Sequence, residues 1–476
     1  MASSSHRLFH CCFQDWINQQ HQDLQELLQV LDTDSPDSDH LRHLIQKSLQ
    51  HFQDYSATRA ELSKLDAPSF FCPSWITSFE NSFLWLGGCR PSLAIRLLYS
   101  ISGSELQAQL PDFLKGCTRG NLADISATQL ISINALHGWI VREEDRLSSR
   151  MASMQEDTAD EPLAIIAKKL RTVGEYSRTV NSAIETHSQA LARVLEEADK
   201  LRLSTFKGLQ EILTPLQGAH FLVASKKLHL SMHEWGKQRA EQKKKMSFES
   251  FNEAWFDHLH DLLQQLRLAP KATAPDRDRA LLDLVHKVRT HYSQYYRAMS
   301  YTARHDVVSL FAAPWSSSLE RSLHWVAGWR PTIAFHLIYT HSSILFETHI
   351  VDILRGAHNG DLGDLSPAQL QRVSELQCQT VGEENEITAE LSECFNSVSG
   401  LVGAVFDPVE NVERLRNVVE RAENLRFRTI CSVVEILNPQ QAVEFLVAVM
   451  ELQFWVRGMG LCHDRVRENL RGFRGL

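Results

Sequence analysis

Glycine and proline are scarce, at 21 and 14 in 476 residues, so little of the chain is expected to be disordered or linker. No apolar run approaches the roughly 20 residues that a membrane-crossing helix needs. The densest, AVEFLVAVM at 442–450, reads as a core helix segment. The N-terminus MASSSHRLFH lacks a signal-type apolar stretch, and Ala2 stands where myristoylation needs glycine. A soluble intracellular protein without a membrane partner is expected. The nine cysteines are an odd number with no CxxC or Cys…His spacing, which argues against a disulfide framework and against structural zinc. Excess positive charge is also missing: the net charge of −9 argues against a general nucleic-acid binder. The basic stretches GKQRAEQKKKM (236–246) and HDRVRENLRGFRGL (463–476) read as a solvated linker and the end of a last helix. Catalytic signatures of the GxxxxGK[ST], GxSxG and HExxH types do not occur, so no catalytic residue is assigned.

What the chain does contain is an internal repeat. PSWITSFENSFLWLGGCRPSLAIRLLYS (73–100) lies over APWSSSLERSLHWVAGWRPTIAFHLIYT (313–340) at a constant offset of 240. Trp75 pairs with Trp315, Glu80 with Glu320, Trp85 with Trp325, Gly88 with Gly328 and Arg90-Pro91 with Arg330-Pro331. The offset holds upstream, where His51 and Tyr55 meet His291 and Tyr295, and downstream through Glu143-Glu144 and Glu383-Glu384. It falls to 224 where LRLSTFKGLQEILTPLQGAHFLVA (201–224) matches LRFRTICSVVEILNPQQAVEFLVA (425–448). Two copies of one domain are expected, at 8–239 and 248–470, joined by a basic linker at 240–247. Both copies space apolar residues three and four apart, and no alternating strand pattern appears. The fold class expected is all-α, two tandem helical bundles. In WLGGCRPS, Gly87 or Gly88 is expected in a left-handed position closing one helix, with Pro91 opening the next. Ser126 and Ser366 are expected as N-caps.

The repeat works as an internal control. None of the nine cysteines meets a cysteine: Cys89 faces Trp329, Cys117 faces Ala357 and Cys378 faces Gly138. Trp85/Trp325 and Arg90/Arg330 are expected in the core with local pairing, against the alternative of a recognition surface. Glu143-Glu144 and Glu383-Glu384 are neighbours pointing about 100° apart, and are expected on a solvated helix face.

The shared blocks resemble a plant family, the Delay of Germination domain, which also stands C-terminal to the zipper in the TGA transcription factors. FLWLGGCRPS, LADISATQL, MASMQEDTADEP (151–162) and QGAHFLVASKKLHLSMHEWG (217–236) carry the resemblance over nearly all of copy one. Copy two keeps the skeleton, with HWVAGWRPT for LWLGGCRPS and no HLSMH. The resemblance implies a non-enzymatic regulator linked to abscisic acid and seed dormancy, with type 2C protein phosphatases among its protein partners. It places that contact at Phe13, Asp15 and Trp16 in FQDWINQQ, with Trp255 as the counterpart in copy two. An exposed helix-in-groove anchor and an inward-packing first helix are equally open for that segment. The alternative is a transcriptional cofactor beside zipper factors; no basic region followed by heptads is present, which argues against direct DNA contact. Nucleus and cytoplasm are the expected locations, with Lys243–Lys245 the only hint of import, and self-association is a further expectation.

The resemblance also implies haem, at His229 and His233. Residues four apart on a helix rise about 6 Å on one face. That suits cis coordination of one ion but not two axial ligands on one haem, so one histidine would be axial and the other a support. Copy two has Gln453 and Arg457 at these positions. The pair is therefore expected at a surface edge, beside a packing stripe of Leu228, Met232 and Trp235 that continues as Leu452, Val456 and Met459.

Overall fold

Apolar residues at helical spacing, with few prolines to break it, leave helix as the regular structure. The computed structural model describes residues 2–33, 36–113, 120–159, 178–242, 248–269, 277–354, 360–396 and 408–472. Among them are fifteen α-helices and no strand beyond two isolated bridges, so the all-α expectation holds. The first half carries α1 (Ala2–Leu31), α2 (Ser38–Ser63), α3 (Ala67–Phe71), α4 (Ser78–Asn81), α5 (Ser92–Phe113), α6 (Ala127–Glu156), α7 (Arg178–Ile212) and α8 (Pro215–Gln242). The second half carries α9 (Phe248–Arg267), α10 (Arg277–Ala312), α11 (Ser318–Ser322), α12 (Ile333–Leu354), α13 (Pro367–Asn396), α14 (Pro408–Ile436) and α15 (Pro439–Gly472).

Matching residues do matching local work. Asp66 and Asp306 leave helical geometry, and each caps the backbone three residues on, at 3.3 Å (Ser69 N) and 3.1 Å (Ser309 N). Thr77 with Glu80 and Ser317 with Glu320 form capping boxes, as do Ser126 with Gln129 and Ser366 with Gln369. Gly87 is left-handed at φ +70, but in a two-residue hairpin and not at a helix end. Trp85 N donates to Gly88 O (2.8 Å) and Gly88 N to Trp85 O (3.2 Å); Trp325 and Gly328 repeat this at 2.7 and 3.0 Å. Such turns need positive φ at both central residues. Leu86 and Gly87 have it in copy one, Val326 and Ala327 in copy two.

The copies pack together. Phe79 and Phe83 of copy one join a core with Met299, Val307 and Trp325 of copy two. Arg90 Nη1 donates to Ser392 Oγ (2.5 Å), while Arg330 Nε reaches Gln155 Oε1 (3.3 Å) and Thr332 Oγ1 reaches Glu156 Oε1 (3.0 Å). α1 also touches α15. Of the basic linker at 240–247, the first three residues extend α8; Lys243–Lys245 lie outside the described residues, as do 160–162 of MASMQEDTADEP. Residues 439–465 of α15 are long and apolar enough to cross a membrane, which a search for unbroken apolar runs misses. In the fold Phe445, Leu446, Met450 and Val456 of that helix are buried in the core.

Candidate functional site

The hairpin at Trp85–Gly88 is held by an arginine that the motifs did not single out. From α7, Arg202 donates to Cys89 O (Nε, 2.6 Å), to Leu86 O (Nη2, 3.1 Å) and to Trp85 O, and pairs with Asp199 (2.6 Å). Arg426 on α14 does the same for Trp329 O (2.5 Å), Val326 O (2.7 Å) and Trp325 O (3.1 Å), paired with Glu423 (2.6 Å). Each guanidinium lies over the tryptophan ring at 5.5 Å. It also runs so close to the backbone that a Cβ at Gly88 would sit 2.7 Å from the Arg202 Cζ. The signal was present, since the blocks at offset 224 share Leu-Arg at 201–202 and 425–426.

Trp325 is buried and Trp85, Arg90 and Arg330 are half-buried, with both arginines paired inside their own copy, to Glu144 and Glu384, as expected. Trp85 Nε1 donates to Ser148 and Trp325 Nε1 to Thr388, both at 3.0 Å. Of the repeated carboxylates, Glu143 and Glu383 lie at the surface beside Arg146 and Arg428, as expected, whereas Glu144 and Glu384 correct the expectation of a solvated face. Glu144 is 0% exposed, and Glu384 is also buried. Glu144 accepts from Arg90 Nε (2.6 Å), Ser92 N (2.6 Å) and Ser92 Oγ (3.0 Å), and so closes the start of α5. Glu384 takes Arg330 (3.0 Å) and Thr332 N (2.8 Å) at the start of α12. Burial pushes the Glu384 carboxyl above its ordinary value, against the pull of Arg330. Each carboxylate is committed to an arginine and a helix N-terminus.

Beneath the copy-one hairpin lies a cavity of about 250 Å³. Its walls are largely aromatic: Phe13, Trp16, Phe52, Tyr55, Trp75 and Phe206. The two segments singled out in the sequence meet here, since Phe13, Trp16 and His229 all line it. Phe13 is 9% exposed and packs edge-on to His233, ring centroids 5.6 Å apart. Trp16 stacks on Tyr55 at 4.4 Å and 5°. Asp15 between them is exposed. In copy two Trp255 packs on Tyr295 at 4.5 Å and stacks on His291.

His233 departs from the surface-edge expectation, while His229 is half-buried. His233 is 6% exposed, with Nδ1 2.8 Å from Glu80 Oε1. Glu80 is itself locked to Thr77 N and Oγ1 at 2.9 and 2.8 Å. Arg457 answers His233 in copy two, 3.7 Å from Glu320. A polar residue at this position therefore marked a buried contact with the capping-box glutamate and not a wet flank. His229 lines the cavity and makes no hydrogen bond among the described residues; burial, opposed by Glu80, pushes its imidazole down to about 4. At neutral pH it is an uncharged imidazole. Trp235, assigned to the packing stripe, is 42% exposed, because α8 turns its capped face toward Glu80 instead.

Two further features define the site. Lys226 (2.9 Å) and His51 (3.0 Å) hold Asp23 and so anchor α1 over the cavity. Cys12 and Cys89 line the cavity, Cys12 half-buried and Cys89 exposed at its edge, and desolvation pushes both thiols upward, away from thiolate chemistry. If a haem bound here, His229 would be the residue to hold its iron, with His233, tied to Glu80, as the support. The volume lies below the roughly 300–1,000 Å³ usual for ligand sites, so a porphyrin would be only partly enclosed.

The sequence is similar to known proteins along both halves. The family model described as seed dormancy control matches residues 23–100 and 262–340. Protein DOG1-like 1 of Arabidopsis thaliana is 38% identical over 258 residues, covering 50% of this chain and 92% of that protein. Protein RESPONSE TO ABA AND SALT 1 of the same plant is 28% identical over 195 residues, 40% of this chain and 76% of that protein. Transcription factor TGA4, also from Arabidopsis thaliana, is 29% identical over 209 residues, 44% of this chain and 50% of that factor.

Proposed function

This chain belongs to the seed dormancy control family, and from that premise we propose that it is a plant regulator that acts by binding other proteins, type 2C phosphatases among them. Similarity to a protein named for its response to abscisic acid and salt supports a role on that hormone's path. The observation that carries the reading is the setting of α1. Phe13 and Trp16 lock one face of the helix onto the bundle, and Asp15 stands outward between them with Leu8 and Cys11 on the same exposed stripe. In this reading Asp15 meets the partner, while Phe13 and Trp16 position the helix that presents it. A pull-down of a type 2C phosphatase with the parent, Asp15→Lys and Trp16→Ala tests it. Both substitutions should weaken capture by roughly tenfold or more, and unchanged capture by Asp15→Lys removes α1 from the contact. The nucleus and cytoplasm are the proposed places of action.

A second reading, haem sensing, draws support from the uncharged His229 in an aromatic cavity. A bound haem would supply an iron centre responsive to redox state or diatomic gases. His229 would hold it, and the His233–Glu80 pair would keep α8 in place. Titration with hemin should give a shifted Soret band in the parent that is lost in His229→Ala. Equal spectra in the two proteins would end this reading.

A further inference from the structure

We propose that the copy-one cavity is a binding site for a flat, uncharged aromatic molecule bearing one hydrogen-bonding group, and that the residue at the Cys89/Trp329 position decides which copy has such a site. The inference shares its cavity with the haem reading and goes beyond it, since the site it describes needs no iron.

The two copies supply the comparison. Copy two has a cavity at the same place, lined by Trp255, Tyr292, Tyr295, Trp315, Trp329 and Arg426, but of only about 110 Å³ against about 250 Å³. The backbone at the two positions is pinned alike: Arg202 Nε binds Cys89 O at 2.6 Å, and Arg426 Nε binds Trp329 O at 2.5 Å. The side chains at 89 and 329 therefore leave from equivalent, fixed points. One is a thiol and the other an indole. Bulk also rises where Gly87 becomes Ala327, Ser225 becomes Val449 and Ser56 becomes Tyr296, but Cys89 to Trp329 is the largest single gain. Ala94 and Leu97 recur as Ala334 and Leu337, and Phe206 becomes the smaller Ile430. Trp329 lines the smaller cavity at the position that Cys89 has in the larger one.

An independent difference concerns hydrogen bonding. In copy two Tyr292 OH donates to Gln453 Oε1 at 2.9 Å, so the polar group at that point is satisfied from within. In copy one the same two positions are Phe52 and His229. Phe52 has no hydroxyl, and the imidazole is left with a nitrogen for a ligand. His229 is half-buried, so a ligand group there would take the place of water.

Charge narrows the ligand class. Arg59 is committed to Asp199 (3.0 Å) and Gly87 O (2.9 Å), Arg202 to Asp199 and the hairpin carbonyls, Arg90 to Glu144, and Lys226 to Asp23. Glu80 is matched by His233 and its own helix cap. No cation among the described cavity residues is left for an anionic ligand, and aromatic walls favour a flat ring.

The probe is N-phenylnaphthylamine, a neutral aromatic with one N–H whose fluorescence rises in apolar sites, titrated into the full-length protein. The parent should bind one equivalent. Cys89→Trp should bind at least tenfold more weakly, and Trp329→Cys should gain a second equivalent. Thermal unfolding checks each fold; Cys89→Phe and Trp329→Ala replace any variant that does not fold. The proposal is overturned if the aromatic substitution at 89 leaves probe binding intact, or if shortening Trp329 leaves the stoichiometry at one. Hemin titration of the same parent separates the two readings. A missing Soret shift removes haem alone, and the probe stoichiometry decides the cavity.

Discussion

Asp23 and Lys226 form a buried pair 2.9 Å apart between α1 and α8, with Gln20 and His51 completing the cluster. Copy two places Leu262 and Met450 at these positions, both buried. A buried ion pair and a well-packed apolar pair are often close in stability, whereas half a pair strands a charge. Lys226→Met alone should therefore cost about 3–5 kcal/mol, while Asp23→Leu with Lys226→Met should come within about 1 kcal/mol of the parent in urea unfolding. A single variant as stable as the double would refute this. Burial would raise the Asp23 carboxyl, but Lys226 and the hydrogen bonds outweigh it and hold it below its ordinary value. Its stabilisation is therefore complete above the ordinary carboxylate range and is lost as pH falls through the lowered value. The double variant should lose less stability than the parent between about pH 5 and about pH 3. At this scale the sequence was legible where a residue recurred, as with Trp85, Arg90 and Glu144, but recurrence did not tell burial from exposure. Glu144 read as solvated because only the fold brings Arg90 and the start of α5 onto it.

Helix α8 and its counterpart α15 rest on the capping boxes through glycine. A Cβ at Gly236 would stand 2.1 Å from Thr77 Oγ1, and one at Gly460 would stand 2.0 Å from Ser317 Oγ. Gly458, two residues earlier in α15, has nothing within 4 Å. Alanine is the better helix former by about 1 kcal/mol, so Gly458→Ala should raise the melting temperature. Gly236→Ala should lower it by the equivalent of about 1–3 kcal/mol through overpacking. Opposite shifts in thermal melts are the expected result; two shifts of the same sign would mean that the capping-box contact does not limit this helix. Helix positions and caps were readable from spacing and from Ser-x-x-Gln. The face each helix turns inward was not: α8 exposes Trp235 and buries His233 because Glu80 sits opposite.

The molecule as a whole is two repeats with a shared core. Phe79 is packed among copy-two side chains, and Arg90 and Arg330 each pair within their own copy while reaching into the other. Cutting the full-length protein at a protease site inserted within residues 243–247 should leave the halves together in gel filtration. Phe79→Asp should let them separate after the same cut. Separation of the parent halves would show that the linker, and not the interface, joins them.

The sequence by itself determined the helical class, the repeat and the local stops and starts. These follow from spacing, caps and turn residues within a few positions of one another. Tertiary structure alone decided that Phe13, Trp16 and His229, more than two hundred residues apart in the chain, share one cavity. It also decided that the cavity is larger in the copy with Cys89 than in the copy with Trp329. The first depends on the packing of helices far apart in the chain, and the second on side-chain size at a backbone point held by a distant arginine. Neither leaves a periodic signal in the sequence.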